Sequence, residues 1–180
     1  MLRIIAGTLK GRRLHTPKWA GVRPTSDKLR ETLFNIVATR VPGARVLDAY
    51  AGTGAIGIEA LSRGAAHVTF ADRDPRALKL IEENLKLCGV PDRYAIIRIR
   101  LGGTPLSFAP GTFDLAVLDP PYDEPDLASA VSAAEPCMAR GCLLVLEHAR
   151  RRPAPGSAGR LARTREVTSG DSALAFYERQ

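Results

Sequence analysis

Long apolar runs are absent. The longest, Cys142 to Leu146, falls far short of the ~18 residues that a membrane-spanning helix needs. Residues 1–9 hold no apolar core of signal-peptide length, because charge interrupts the short apolar stretch. Cysteine is scarce: Cys88, Cys137 and Cys142 form no CxxC pair and are odd in number. That argues against a disulfide framework and fits a reducing, cytoplasmic setting. The three histidines, His15, His67 and His148, are scattered, so no metal site is expected. With 45% hydrophobic and 25% charged residues, neither a disordered chain nor a fibrous repeat is expected. The 180 residues make one domain, which at this size buries roughly 70% of its unfolded surface and needs no metal or disulfide staple.

Charge is plentiful but uneven. Residues 1–30 carry eight Lys or Arg against one acid, Asp27, which accounts for the whole formal net charge of +7. Residues 31–139 are acidic on balance, and the tail turns basic again through Arg150, Arg151, Arg152, Arg160, Arg163 and Arg165. A basic arm over 1–24, ahead of a domain over 25–180, points to phosphate contacts. Gly7, Gly11, Pro17, Gly21 and Pro24 discourage a helix there and suit a short hairpin with a mobile lead-in. Arg3, Lys10, Arg12, Arg13 and Arg23 are the candidate contacts to a nucleic-acid backbone.

The rest of the chain alternates short strands with helices. Strands are expected at 3–6, 12–15, 45–49, 67–71, 94–99, 115–118 and 142–147, with a closing hairpin from 160–167 and 173–178. Helices are expected from Thr25 or Ser26 to about Arg40, over 54–62, over 75–88 and over 127–138. Residues 153–159 read as a loop. Such alternation predicts an α/β fold: a mostly parallel sheet with helices on both faces. Ligands in that architecture sit beyond the carboxyl ends of the strands.

Three motifs fall at those ends. The first is Asp48-Ala-Tyr-Ala-Gly-Thr-Gly54, whose glycines allow a tight turn and close approach of backbone to a ligand. Asp48 either accepts hydrogen bonds from an amine or orders the loop. Gly52, Gly54 and Gly57 also spell GxGxxG, and Asp72 lies 18 residues past Gly54, so a dinucleotide site satisfies this pattern too. The second motif is Asp72-Arg-Asp74-Pro. Asp72 is placed to receive the hydroxyls of a ribose, whereas Asp74 before Pro75 reads as a helix N-cap.

The third motif, Asp119-Pro-Pro-Tyr122, discriminates between ligands. Two prolines after a buried strand hold the backbone rigid, so that a carboxylate, a carbonyl and an aromatic face project together. That set suits a planar base with an exocyclic amine: Asp119 and a backbone carbonyl accept its two N–H groups, and Tyr122 stacks on its ring. A nicotinamide-dependent oxidoreductase leaves this set and the basic arm unexplained, and a non-enzymatic RNA-binding protein has no use for it. A DNA adenine-N6 methyltransferase would use the same tetrad but usually carries an extra target-recognition region.

Asp48–Gly54 with Asp119–Tyr122 resembles the class I S-adenosylmethionine-dependent methyltransferases that act on amines. The flanking segments narrow the likeness. Arg3-Ile-Ile-Ala-Gly7, Gly11-Arg-Arg-Leu14, Arg23-Pro-Thr25, Arg30-Glu-Thr-Leu-Phe-Asn35, Glu59-Ala-Leu-Ser-Arg-Gly64 and Gly170-Asp-Ser-Ala-Leu-Ala-Phe-Tyr177 resemble the RsmD family, from Arg3 to Tyr177.

The resemblance implies a Rossmann-like sheet of seven strands with a basic N-terminal hairpin. It implies methyl transfer to the N2 amine of a guanine in 16S ribosomal RNA, within an assembling small subunit. S-Adenosylmethionine is then the cofactor and S-adenosylhomocysteine the product, with no metal or membrane, and a monomer is expected. The cofactor's methionine end falls near Thr25, Asp48 and Tyr50, the turn Ala51-Gly52-Thr53-Gly54 beneath it, and the ribose near Asp72 and Arg73. Asp119, Pro120, Pro121 and Tyr122 carry the catalytic site. Many class I enzymes place an acid after the third strand to hold the adenine amine. Here that region reads Leu101-Gly-Gly103, so adenine recognition falls to backbone groups and apolar contacts.

Overall fold

The computed structural model describes residues 2–17, 27–102 and 105–179. The expected contributions of Arg23 and Thr25, and of Gly103, lie outside these residues. Eight strands form one sheet: β1 (Arg45–Ala49), β2 (His67–Asp72), β3 (Tyr94–Arg98), β4 (Phe113–Leu118), β5 (Met138–Ala149), β6 (Ser157–Ala158), β7 (Leu161–Ser169) and β8 (Ser172–Arg179). Their order is β3-β2-β1-β4-β5-β8-β7-β6. The first five run parallel, and β8, β7 and β6 follow antiparallel. The eighth strand is a correction to the expected seven. Ser157 and Ala158 pair with Ala162 and Leu161 across a tight reversal at Gly159, inside a segment whose Pro/Gly/Ser content reads as a loop.

Strand alternation divides the core into two apolar layers. Val46, Phe70, Val117 and Val145 face the layer that includes residues of α1 (Asp27–Ile36), α2 (Ala55–Ser62) and α3 (Pro75–Cys88). Leu47, Ala71, Leu118 and Leu146 face the layer filled by α4 (Leu127–Ala134). α3 matches its expected limits because both ends are encoded locally. Asp74 accepts from the Arg76 N–H with Pro75 behind it, and Gly89 closes the helix in the left-handed conformation. α4 is shorter than expected: Pro136 cannot supply the next helical N–H, so residues 135–137 tighten into a 3₁₀ turn and Met138 starts β5. α1 also ends early, at Ile36, where Ile36, Val37 and Thr39 bring β-branched stiffness.

The arm departs most from expectation. Instead of two strands it forms one antiparallel bridge, Arg3 with Arg13, flanked by Ile4 N–H to Arg12 O at 2.9 Å and Leu14 N–H to Leu2 O at 3.0 Å. Nor does it lie free, because α2 supplies acceptors for its backbone. Glu59, fully buried, accepts from Ile5 N–H at 2.7 Å and Ala6 N–H at 2.9 Å. Ser62 Oγ accepts from Leu9 N–H at 2.9 Å, and Asn84 of α3 holds His15 N–H at 2.7 Å. A Cβ on Gly7 would fall 2.0 Å from the Ser62 carbonyl oxygen, so only glycine permits this approach. Covered by the arm on one side and the sheet on the other, α2 buries every residue. Leu2, Ile4 and Leu14 join the core, while Arg3, Lys10, Arg12 and Arg13 stay exposed.

Candidate active site and its relatives

The carboxyl ends of β2, β1, β4 and β5 open into a cleft of about 970 Å³. Asp48, Asp72, Asp119 and Glu147 each follow an inward residue of the first core layer by two positions: Val46, Phe70, Val117 and Val145. All four carboxylates therefore belong to the same side of the sheet, and all four line the cleft.

At the end of β1, Tyr50 takes a left-handed backbone, φ 59°, which turns the chain sharply into the glycine loop. Ala51 N–H donates to Ala71 O at 3.1 Å, and Gly54 N–H to Ala51 O at 2.7 Å. Asp48 orders this loop from beneath: buried, its Oδ2 accepts from the Gly57 N–H at 2.8 Å. Burial holds the Asp48 carboxyl well above the usual carboxylate range. The Gly57 N–H opposes that shift, and the nearby charges of Asp119 and Asp72 add to it. Gly57 itself is a packing residue, since a Cβ there would sit 2.2 Å from Phe70 Cε1.

Asp72 joins the two sides of the turn. One oxygen accepts from Gly52 N–H at 2.9 Å and the other from Asp74 N–H at 2.9 Å. An ionised carboxylate has about four acceptor positions, so it retains acceptor capacity toward the cleft. Across the cleft, Asp119 N–H donates to Ala49 O at 3.2 Å, and the Pro121 carbonyl accepts from Glu124 N–H at 2.8 Å. These bonds fix the Asp119-Pro-Pro-Tyr122 segment at the rim, with all four residues lining the cleft.

Among the expected cofactor residues, Asp48, Tyr50, Ala51, Gly52, Thr53, Asp72 and Arg73 line the cleft together with that tetrad; Gly54 supports the turn from behind. Among the expected RNA contacts, Arg3, Lys10, Arg12 and Arg13 lie on the arm and do not line it. Sequence reading missed Lys28, Glu147, Arg151 and Ser172, which all line the cleft. Glu147 had a legible signal: it closes a buried apolar run, as Asp48 and Asp119 do. Ser172 stood out only within the Gly170–Tyr177 likeness and Arg151 only within the basic tail; neither pointed to the cleft, because β8 is brought beside β5 only by the sheet order. A second cavity of about 370 Å³ adjoins at Tyr50 and Arg73, walled by Ile99, Leu101, Gly102 and Pro125. The Tyr50 hydroxyl is buried without a hydrogen-bond partner among the described residues. Burial pushes its pKa upward, with the Glu124 charge adding to the shift and Arg73 opposing it. Among the described residues, no cluster of three or more His, Cys, Asp or Glu is placed to hold a metal, and no helix is long and apolar enough to cross a membrane.

The family model described as conserved hypothetical protein 95 matches residues 2–178. The chain belongs to this, the RsmD, family. Its similarity to "Ribosomal RNA small subunit methyltransferase D" of Escherichia coli K12 is 32% identity, covering 99% of this chain and 90% of that one. Its similarity to "Putative rRNA methyltransferase YlbH" of Bacillus subtilis is 33%, covering 99% and 100%. A solved structure titled "Putative methyltransferase yhhF from Escherichia coli" superposes with a TM-score of 0.81 at 30% identity, covering 99% of this chain and 97% of that one. The Rossmann-like class I methyltransferase fold of this RsmD-family chain thus stands on both sequence and structure.

Proposed function

We propose that this protein transfers the methyl group of S-adenosylmethionine to the exocyclic N2 amine of a guanine in small-subunit ribosomal RNA. The observation that carries the reading is the placement of Asp119-Pro-Pro-Tyr122 and the Asp48–Gly54 turn on one cleft. The names of the relatives in Escherichia coli and Bacillus subtilis support ribosomal RNA as the acceptor. The sheet speaks against a dinucleotide oxidoreductase. That fold continues with a sixth parallel strand, whereas here β8 runs antiparallel beside β5.

The residues present fit the cofactor. Asp72 offers acceptors to ribose hydroxyls beside Arg73, and the buried Tyr50 hydroxyl, without a partner among the described residues, is a polar group suited to a ligand. The smaller cavity sets Ile99, Leu101 and Pro125 beside Glu124, Asp126 and Ser129, so it offers adenine both apolar walls and polar groups. When bound, S-adenosylmethionine supplies a methyl group activated by its sulfonium. A guanine 2-amino lone pair is delocalised into the ring and is a poor nucleophile, so alignment must supply much of the rate, up to about 7–11 kcal/mol. Asp119 and the Pro120 carbonyl orient the amine and favour the positive charge that develops on nitrogen. Tyr122 offers a stacking face that offsets part of the loss when the base leaves its RNA stack.

The deciding experiment is labelled methyl transfer to small-subunit RNA and to the subunit particle, followed by nucleoside analysis. N2-methylguanosine is the expected product; N6-methyladenosine overturns the reading. Asp72→Ala should weaken S-adenosylmethionine binding in a calorimetric titration by about 10-fold or more, the scale of one charge-assisted hydrogen bond. Unchanged affinity moves the ribose contact elsewhere.

The exposed charges of the arm supply long-range attraction that the acidic middle of the chain lacks. Replacing Lys10, Arg12 and Arg13 with alanine should spare cofactor binding and the docked arm, whose anchors are backbone groups and Leu2, Ile4 and Leu14. RNA association should weaken, and its log–log salt slope should flatten by about 0.7 to 0.9 for each phosphate that the arm no longer neutralises. An unchanged slope would mean that these charges are only solvated.

A further inference from the structure

The loop after β4 is gripped by two segments from the far end of the chain. β5 ends at Ala149 and turns at once, Arg152 N–H donating to the Ala149 carbonyl at 2.8 Å. Two contacts fix this turn. Arg150 N–H donates to the Asp171 carbonyl at 2.8 Å, and the buried His148 ring places Nδ1 2.8 Å from the Arg152 carbonyl. Arg152 then extends its guanidinium to the tetrad loop, Nη1 donating to the Tyr122 carbonyl at 2.9 Å and Nη2 to the Pro125 carbonyl at 3.4 Å. Ser172, the first residue of β8, hydrogen-bonds its hydroxyl to that of Tyr122. Tyr122 is thereby held at its backbone and at the tip of its ring.

Such a double hold has a physical purpose. Pro120 and Pro121 fix φ before Tyr122, but they leave its own side-chain torsions free. An aromatic platform that must be ordered at each encounter loses conformational entropy each time, and a platform already ordered does not. Ser169, Gly170, Asp171 and Ser172 also line the cleft, so the β7–β8 turn forms the wall beside the tetrad.

Resting on the base-methylation reading above, we propose that Ser172 and Arg152 are positioning residues that hold the Tyr122 ring in the orientation in which it stacks on the target base. The C-terminal hairpin thus completes the base pocket from a strand with no motif of its own in that pocket.

The test is steady-state methylation of small-subunit RNA by wild type, Ser172→Ala, Ser172→Thr, Tyr122→Phe and the Ser172→Ala/Tyr122→Phe double variant, with cofactor affinity and unfolding midpoint measured alongside. Loss of one neutral hydrogen bond predicts that Ser172→Ala lowers kcat/KM by about 3- to 10-fold. Cofactor affinity and the unfolding midpoint should stay near wild type, and Ser172→Thr should restore activity. In the Tyr122→Phe background, Ser172→Ala should have no further effect, because the bond is already gone. Arg152→Ala should lower kcat/KM further, since it releases two carbonyls of the loop. An active wild type with unaffected Ser172→Ala overturns the inference alone. So does a full additive loss in the double variant, or a fall in unfolding midpoint that accompanies the loss of activity. A wild type inert toward RNA overturns both the inference and the reading on which it rests.

Discussion

Asp119→Ala is expected to reduce methyl transfer to near the assay background while leaving S-adenosylmethionine affinity within a few-fold of wild type. The loss combines two contributions. Withdrawal of a group that accepts a proton costs roughly 10²–10⁴-fold, and loss of the anchor that aligns the amine removes part of the proximity advantage. Cofactor affinity is spared because the residues assigned to the cofactor, Tyr50, Gly52 and Asp72, come from the other two strand ends. Asp119→Asn separates the two contributions, since the amide keeps an acceptor oxygen but is no base. Partial turnover in that variant assigns Asp119 to orientation; a variant as inactive as alanine assigns it to proton removal as well. Single-turnover transfer of labelled methyl measures both, and near-normal rates in Asp119→Ala would show the tetrad to be a structural turn.

The largest effect on stability is expected from Glu59→Ala. The fully buried Glu59 carboxylate accepts three hydrogen bonds: from Ile5 N–H, from Ala6 N–H and from Arg63 Nε at 2.8 Å. Its removal orphans two backbone donors and leaves the mostly buried Arg63 guanidinium, 17% exposed, without its counter-ion. Breaking a buried pair from one side destabilises by about 3–5 kcal/mol, which a urea titration resolves easily. The arm should come away from α2 with Leu2, Ile4 and Leu14, so limited proteolysis should cut within residues 2–17 before the rest of the chain. Glu59→Gln keeps one acceptor oxygen and should fall between the two. A loss below about 1 kcal/mol would mean that the arm is held by its apolar residues alone.

Much of this molecule is written locally. α3 has its N-cap in Asp74-Pro75 and its stop in Gly89, so its limits follow from residues within one turn of each end. The parallel strands are short apolar runs, and the carboxylates Asp48, Asp72 and Asp119 stand where each run ends. In a parallel sheet those ends must meet at one edge, so most of the site is legible in the order of residues alone. The limits of α4 and the two-residue β6 were less legible, because a proline inside an apolar stretch and a turn rich in proline and glycine each read in two ways.

What sequence could not determine was the partner of each segment across distance. The run of basic residues at the N-terminus predicts attraction to phosphate, but nothing in it predicts that Glu59, 53 and 54 residues away, accepts its backbone N–H groups. Ser172 and Arg152 carry no motif for a base pocket, yet the insertion of β8 between β5 and β7 sets both against Tyr122. Periodicity and capping report free energies that depend on a residue and its near neighbours. Sheet order and the docking of the arm depend on which buried surfaces fit together. Only the folded chain brings those surfaces into contact, and there burial raises the cost of leaving a backbone donor or a carboxylate without a partner.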